Sequence, residues 1–215
     1  MRVIDLGLTD FSEAYRFQME GLKELAEGPS EDILFLTEHL PVITIGRRGS
    51  WSSIMVPENF LSSRGIKILN VDRGGDATYH GPGQLVAYPV FKLQNEGRDI
   101  HNFLGFLETV GTNFLSQYGL ASEIKPGLRG IWIEGKKIGS IGIGIKKWVT
   151  YHGIAININT DLIPFSFIKP CGLNGVEVTS LKNILHRELD INEAKDRLKS
   201  SFREVSLLAE KVNKV

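Results

Sequence analysis

A single cysteine, Cys171, stands in 215 residues, so no disulfide forms within the chain. That suits a reducing compartment. Neither sign of charge is in excess: 25 Lys and Arg face 25 Asp and Glu. Without a basic surplus, nothing in the composition argues for nucleic acid. No apolar run approaches bilayer length. Met1 to Leu6 carry neither an apolar signal-peptide core nor an Arg/Ser-rich presequence. A cytoplasmic protein with no membrane partner is expected. A glycine-rich phosphate loop and a dinucleotide fingerprint are both missing. One cysteine and a few scattered histidines make a poor metal-ligand set, and no metal is expected. What is present is ordinary for a soluble globular chain, 42% apolar and 23% charged. The length fits one domain over residues 1–215.

Local patterns alternate between strand and helix. Met1 to Leu8 reads as a strand. Asp10 then caps a helix over residues 10 to 27, with Glu13 three positions on and Ala14, Tyr15, Gln18, Met19, Leu22 and Ala26 at helical spacing. Ile33–Leu36 and Val42–Ile45 read as strands, and Gly46-Arg47-Arg48-Gly49 as a cationic loop. Residues 51 to 65 read as a short helix or loop around Pro57. Asp99 is expected to cap a second helix whose apolar face runs from Ile100 to Tyr118, ending at Gly119. From Gly130 the pattern turns to hairpins, with Glu134-Gly135-Lys136 as one turn. The last helix starts near Asn192. Together these predict an α/β (α+β) fold: a mixed, largely antiparallel sheet with flanking helices, placed on one side.

The chain is organised around Arg73-Gly74-Gly75-Asp76-Ala77-Thr78-Tyr79-His80-Gly81-Pro82-Gly83-Gln84. Four of its residues between Gly74 and Gly83 are glycine, which lets backbone approach a ligand closely. An arginine and a histidine on a strand-flanked loop point to a binding or catalytic site. Pro170 and Gly172 place Cys171 on a tight turn. A thiolate beside an ammonium is a usable nucleophile, and Lys136 and Lys137 lie on a separate β element. Spacing alone does not bring these groups together; a buried cysteine and an exposed hairpin lysine are the plainer alternatives. Gly139, Gly142 and Gly144 predict close backbone approach to that strand. His80 and His152 both sit in glycine-rich settings.

The Arg73–Gln84 stretch with Tyr88-Pro89 resembles the signature of the lipoyl(octanoyl) transferases. So do Glu38-His39 with Pro41-Val42, Gly46–Gly49, Lys137–Gly142, His152-Gly153 with Ala155 and Asn157, and Pro170-Cys171-Gly172 followed by Gly175-Val176 and Val178–Leu181. The blocks cover residues 38 to 181 in family order. The resemblance implies an acyltransferase of lipoate cofactor biosynthesis, needing no cofactor. It takes an octanoyl group from octanoyl-acyl carrier protein, holds it as a cysteine thioester, and passes it to a lysine ε-amine. The acceptors implied are lipoyl domains of 2-oxoacid dehydrogenase complexes and the glycine cleavage H protein. By position, Cys171 would be the nucleophile, and Lys137 would lower its pKa and serve as general acid/base. Arg73, Gly74, Gly75, Asp76, Ala77, Thr78, Tyr79 and His80 would line the acyl-substrate site, with Ser140, Ile141, Gly142, Gly153, Ile154 and Ala155. The implied fold is that of the biotin and lipoate protein ligase catalytic domain.

One position departs from the family pattern. Members commonly carry an arginine where this chain has Gly144, so carrier docking is expected to use Lys146, Lys147, Arg47 or Arg48. An ATP-dependent ligase on the same scaffold would not need Cys171. A non-catalytic scaffold would form no covalent adduct, and a cysteine hydrolase would lose its acyl group to water.

Overall fold

The computed structural model describes residues 1–93, 100–169 and 176–212, with side chains as far as Leu208. Asp99, Pro170, Cys171, Gly172 and Gly175 lie outside the described residues. In chain order the elements are β1 (Arg2–Thr9), α1 (Phe11–Glu27), β2 (Ile33–His39), β3 (Val42–Ile45), α2 (Glu58–Ser62), β4 (Lys67–Asn70), β5 (Ala77–His80) and β6 (Gln84–Val90). They continue with α3 (Ile100–Ser116), β7 (Glu123–Lys125), β8 (Leu128–Ile133), β9 (Lys136–Lys146), β10 (Val149–Asn157), α4 (Leu181–Leu185) and α5 (Ile191–Val212).

Seven strands form one mixed sheet in the order β1-β2-β6-β10-β9-β8-β7. Only β1 and β2 pair in parallel; the other neighbours are antiparallel. A smaller sheet has the order β4-β3-β5. Two-residue turns join the hairpins. Glu134 and Gly135 (φ 50° and 79°) close β8–β9, and Lys147 and Trp148 (φ 52° and 60°) close β9–β10. Left-handed conformation at both central residues matches the twist of the flanking strands.

Period-two alternation sorts the strands' side chains between two cores. Leu34 and Leu36 of β2 and Leu85 and Ala87 of β6 face a cluster with Leu107, Phe114 and Phe202 from α3 and α5. Ile33, Phe35, Val86 and Tyr88 face the opposite way, onto Ala14, Leu22 and Leu25 of α1. The helices therefore cover both faces of the sheet, not the one side expected from the pattern. The reason lies in β2 and β6: a continuous run such as Ile33–Leu36 is apolar on both faces, and neither can be left to water. Burying one such side chain contributes about 1.5–3 kcal/mol.

The glycine-rich stretch is also more structured than a loop. Ala77 to His80 form β5, fully buried, and pair antiparallel with Val42–Ile45 of β3. Tyr79 packs into a third core with Ile43, Leu61, Ile66, Phe165 and Ile168. The one-turn helix α2, capped at Pro57, falls within the stretch expected as a short helix or loop, whereas the one-turn helix α4 was not read from the sequence. At the end of α3, Gly119 takes φ +72° and donates its N–H to the Ser116 carbonyl at 2.9 Å, as expected of a C-terminal glycine. No helix among the described residues is long and apolar enough to cross a membrane.

Candidate active site

A cavity lies between β5 with the Arg73–Asp76 loop on one side and β6, β10 and β9 on the other, with Phe11 of α1 against it. Its empty space is about 500 Å³ out to the open mouth. Arg73, Gly75, Asp76, Ala77, Thr78 and His80 line it, together with Lys137, Ser140, Ile141, Gly142, Gly153, Ile154 and Ala155. Twelve of the fourteen expected substrate-site residues, and Lys137, thus converge from segments far apart in sequence. The two that do not line it are Gly74, whose N–H bonds the Ile143 carbonyl at 2.8 Å, and Tyr79, turned to the third core.

Lys137 is buried, not the exposed hairpin lysine its type favours: its exposure is 3%. Its Nζ donates to the Arg129 carbonyl at 2.9 Å and lies 5.4 Å from the Trp132 ring. Gly130 makes room for it. A Cβ there would sit 2.6 Å from Lys137 Cε, and φ +129° further disfavours any side chain. Glu108 of α3 holds this strand from behind, accepting from Arg129 Nη1 at 3.0 Å. The Lys137 backbone is bonded on both sides to the chain that follows the Cys171 segment. Its N–H donates to the Glu177 carbonyl at 2.8 Å, and its carbonyl accepts from Thr179 N–H at 2.9 Å. On the preceding side, Lys169 N–H bonds the Ser53 carbonyl at 2.8 Å.

The Arg73 guanidinium is buried among backbone and hydroxyl oxygens. Nη2 reaches the Thr44 carbonyl and its Oγ1, both at 2.8 Å, and Nη1 the Gly74 carbonyl at 3.0 Å. The arginine pins the loop to β3. Gly142 lets that loop approach: a Cβ would stand 2.8 Å from the Gly74 carbonyl oxygen. Gly144 likewise accommodates the Tyr151 ring, 2.3 Å from where a Cβ would be. Gly139 has no such role, since its nearest neighbour would be 3.4 Å away, an ordinary contact.

His80 and His152 line the cavity, His39 is buried behind Phe11 and Tyr88, and the bonds of all three fix their tautomers. His39 Nδ1–H donates to the Thr9 carbonyl at 3.0 Å, and Tyr88 O–H donates to Nε2 at 2.6 Å. His80 Nδ1–H donates to Gln84 Oε1 at 2.7 Å; the Gln84 amide nitrogen is spent on Tyr79 O and Asn157 Oδ1. His152 Nε2–H donates to Asp72 Oδ1 at 3.0 Å. Burial pushes His39 down to about 4 and His80 well below its usual value. It also lowers His152, against the opposing pull of Asp72. The Asp72 carboxyl falls well below the carboxylate range, chiefly through the His152 bond, helped by Tyr151 O–H. Burial favours the neutral form of all three imidazoles near pH 7, while Arg73, Asp76 and Lys137 bring basic and acidic side chains to the same cavity wall.

His39, Tyr88, Phe11 and Asp72 were not singled out as site residues from sequence. His39 and Tyr88 did fall within motif blocks, and only the pairing of β2 with β6 brings them together. No group of three or more His, Cys, Asp and Glu among the described residues is arranged to hold a metal ion. Arg47, Arg48, Lys146 and Lys147 are all exposed.

Fold and cavity define the class. The chain superposes on the structure of a bipartite lipoate protein ligase and its lipoyl domain from Thermoplasma acidophilum with TM-score 0.78 at 20% identity, covering 95% of this chain and 82% of that one. It superposes on biotin protein ligase from Aquifex aeolicus with TM-score 0.59 at 14% identity, covering 95% and 69%. Those likenesses establish the fold. Residues 10–203 match the lipoyl protein ligase A/B catalytic domain. An octanoyltransferase of Geobacter metallireducens is 41% identical over 202 residues, 94% of this chain and 92% of the relative. One of Caldicellulosiruptor saccharolyticus is 42% identical over 207 residues, 95% and 88%. The chain belongs to the lipoyl protein ligase A/B catalytic-domain family, among its octanoyltransferases.

Proposed function

We propose that this chain, acting as one catalytic domain in the cytoplasm, moves an octanoyl group from acyl carrier protein to lipoyl domains by two acyl transfers through Cys171. In the first, the Cys171 thiolate attacks the carrier's thioester carbonyl. The Sγ–C bond forms, the bond to the carrier's sulfur breaks, and Lys137 hands that sulfur the proton taken from the thiol. In the second, the neutral ε-amine of a lipoyl-domain lysine attacks the acyl-enzyme. The N–C bond forms, the C–Sγ bond breaks, and the amine's proton returns through Lys137 to the cysteine. Thioester exchange is near balance and aminolysis of a thioester is downhill, so neither step needs ATP. That accords with the missing phosphate loop.

The observation that carries this reading is the placement of Lys137. It is a buried lysine lining the cavity, with its backbone bonded to Glu177 and Thr179 just after the Cys171 segment. The apolar wall of Val86, Ile141, Ile154 and Ala155 suits an alkyl chain, at about 0.8 kcal/mol per buried methylene. Arg47, Arg48, Lys146 and Lys147 are the cations proposed to meet the acidic protein partners. Single-turnover amide formation on an apo lipoyl domain, from octanoyl-carrier protein without ATP, tests the proposal. Transfer by the native chain and none by Cys171→Ala is expected. Equal rates for both would refute it.

A further inference from the structure

His152 carries a polar atom that the transfer chemistry does not use. Its Nδ1 is buried, and it has no hydrogen-bond partner among the described residues. The residue lines the cavity and is 1% exposed. Asp72 holds Nε2–H, which leaves Nδ1 as a lone-pair acceptor on the ring edge away from Asp72. The ring is clamped between Phe11 and Tyr15, stacked at centroid distances of 6.1 and 5.6 Å. Its backbone takes φ 56°, uncommon for a non-glycine residue inside a strand. That turn puts His152 on the same side as Tyr151, where strand alternation would separate them.

Its place on the hairpin sets His152 apart from Lys137. His152 pairs with Ile143 on β9, six residues from Lys137, or about 20 Å of strand. Both residues line the one cavity, set apart along the β9–β10 hairpin with Ser140 to Gly142 between them in register. On the acyl-transfer reading above, on which this inference rests, the carbonyl lies at the Lys137 end. The tail of the chain then runs toward His152.

We propose that His152, oriented by Asp72, forms a polar subsite at the far end of the acyl slot. It accepts a hydrogen bond from a donor on the last carbons of a medium-chain acyl thioester, so the slot takes chains ending in a hydroxyl or thiol as well as a methyl. An acceptor-only group at that end meets the lone pair and is rejected. An unpaired buried acceptor is costly, and a ligand that satisfies it gains selectivity.

The test compares kcat/KM for transfer of octanoyl, 8-hydroxyoctanoyl and 7-oxooctanoyl groups from carrier protein to a lipoyl domain. The native enzyme is expected to favour the hydroxyl over the oxo chain by about tenfold. In His152→Phe that preference collapses toward unity, and the hydroxyl-to-plain ratio drops by about tenfold. Ratios within one enzyme cancel any loss of folded protein. If His152→Phe does not fold, as a thermal melt would show, the native comparison decides alone. Equal use of hydroxyl and oxo chains by the native enzyme, or an unchanged ratio in His152→Phe, would overturn the subsite. No transfer even of plain octanoyl would overturn the acyl-transfer reading, and the subsite with it.

Discussion

The two faces of the seven-stranded sheet are both buried, yet they are built from different materials. The face under α3 and α5 is a near-continuous apolar core of Leu, Ile, Val and Phe, with Phe114 and Phe202 fully enclosed. The face under α1 mixes the apolar residues of its core with His39, Tyr88, His152 and Gln18, each hydrogen-bonded through a specific partner. Apolar packing is tolerant of position, whereas a buried imidazole must be paired or it destabilises the fold. The chain concentrates this demanding kind of burial where the cavity lies, and the other face supplies the stability that supports it.

Changing one face at a time sharpens the contrast. The largest effect belongs to the cavity side. Lys137→Arg keeps a cation but loses a group that gives and takes a proton near neutrality. Transfer should fall by about 10²-fold or more in single-turnover assays, with much less change in thermal stability. Near-native transfer would remove Lys137 from the chemistry. On the opposite face, Phe202→Ala should lower unfolding free energy by about 3–5 kcal/mol in urea titrations. Turnover per folded molecule should be unchanged, and a matching loss of turnover would erase the distinction between faces.

Acid should attack the cavity face first. His39 is held near pKa 4 when folded against an ordinary 6.5, so the unfolded chain takes up the proton first. Its contribution to stability is full above pH 6.5 and is lost as pH falls toward 4, up to roughly 3 kcal/mol. His80 and His152 act in the same direction. Unfolding free energies that stay flat between pH 7 and 4.5 would contradict the neutral-histidine assignment. The smallest effect expected is from Gly142→Ala. Its Cβ would crowd the Gly74 carbonyl at 2.8 Å and Arg73 Cδ at 3.1 Å, loosening the loop at the cavity wall. Donor kcat/KM should fall several-fold, about 1 kcal/mol; an unaltered value would show that the loop yields freely.

Much of this was readable from the sequence because it was local. Asp10 as an N-cap, the Glu134-Gly135 turn and the Gly119 helix end each rest on a few adjacent residues, and each is observed. The motif blocks also named most of the cavity wall. What escaped was set by pairing between distant segments. Whether helices covered one face or both depended on how β2 and β6 sit together. Ala77–His80 became a strand only by pairing with β3. The His39–Tyr88 and His152–Asp72 bonds span 49 and 80 residues, and no spacing rule reaches that far.

The most direct test of the central claim is the intact mass of the protein after incubation with octanoyl-carrier protein in the absence of ATP. The account predicts a gain of one octanoyl group, absent in Cys171→Ser and discharged on adding an apo lipoyl domain. No adduct, with amide forming only when free octanoic acid and ATP are supplied, would contradict it.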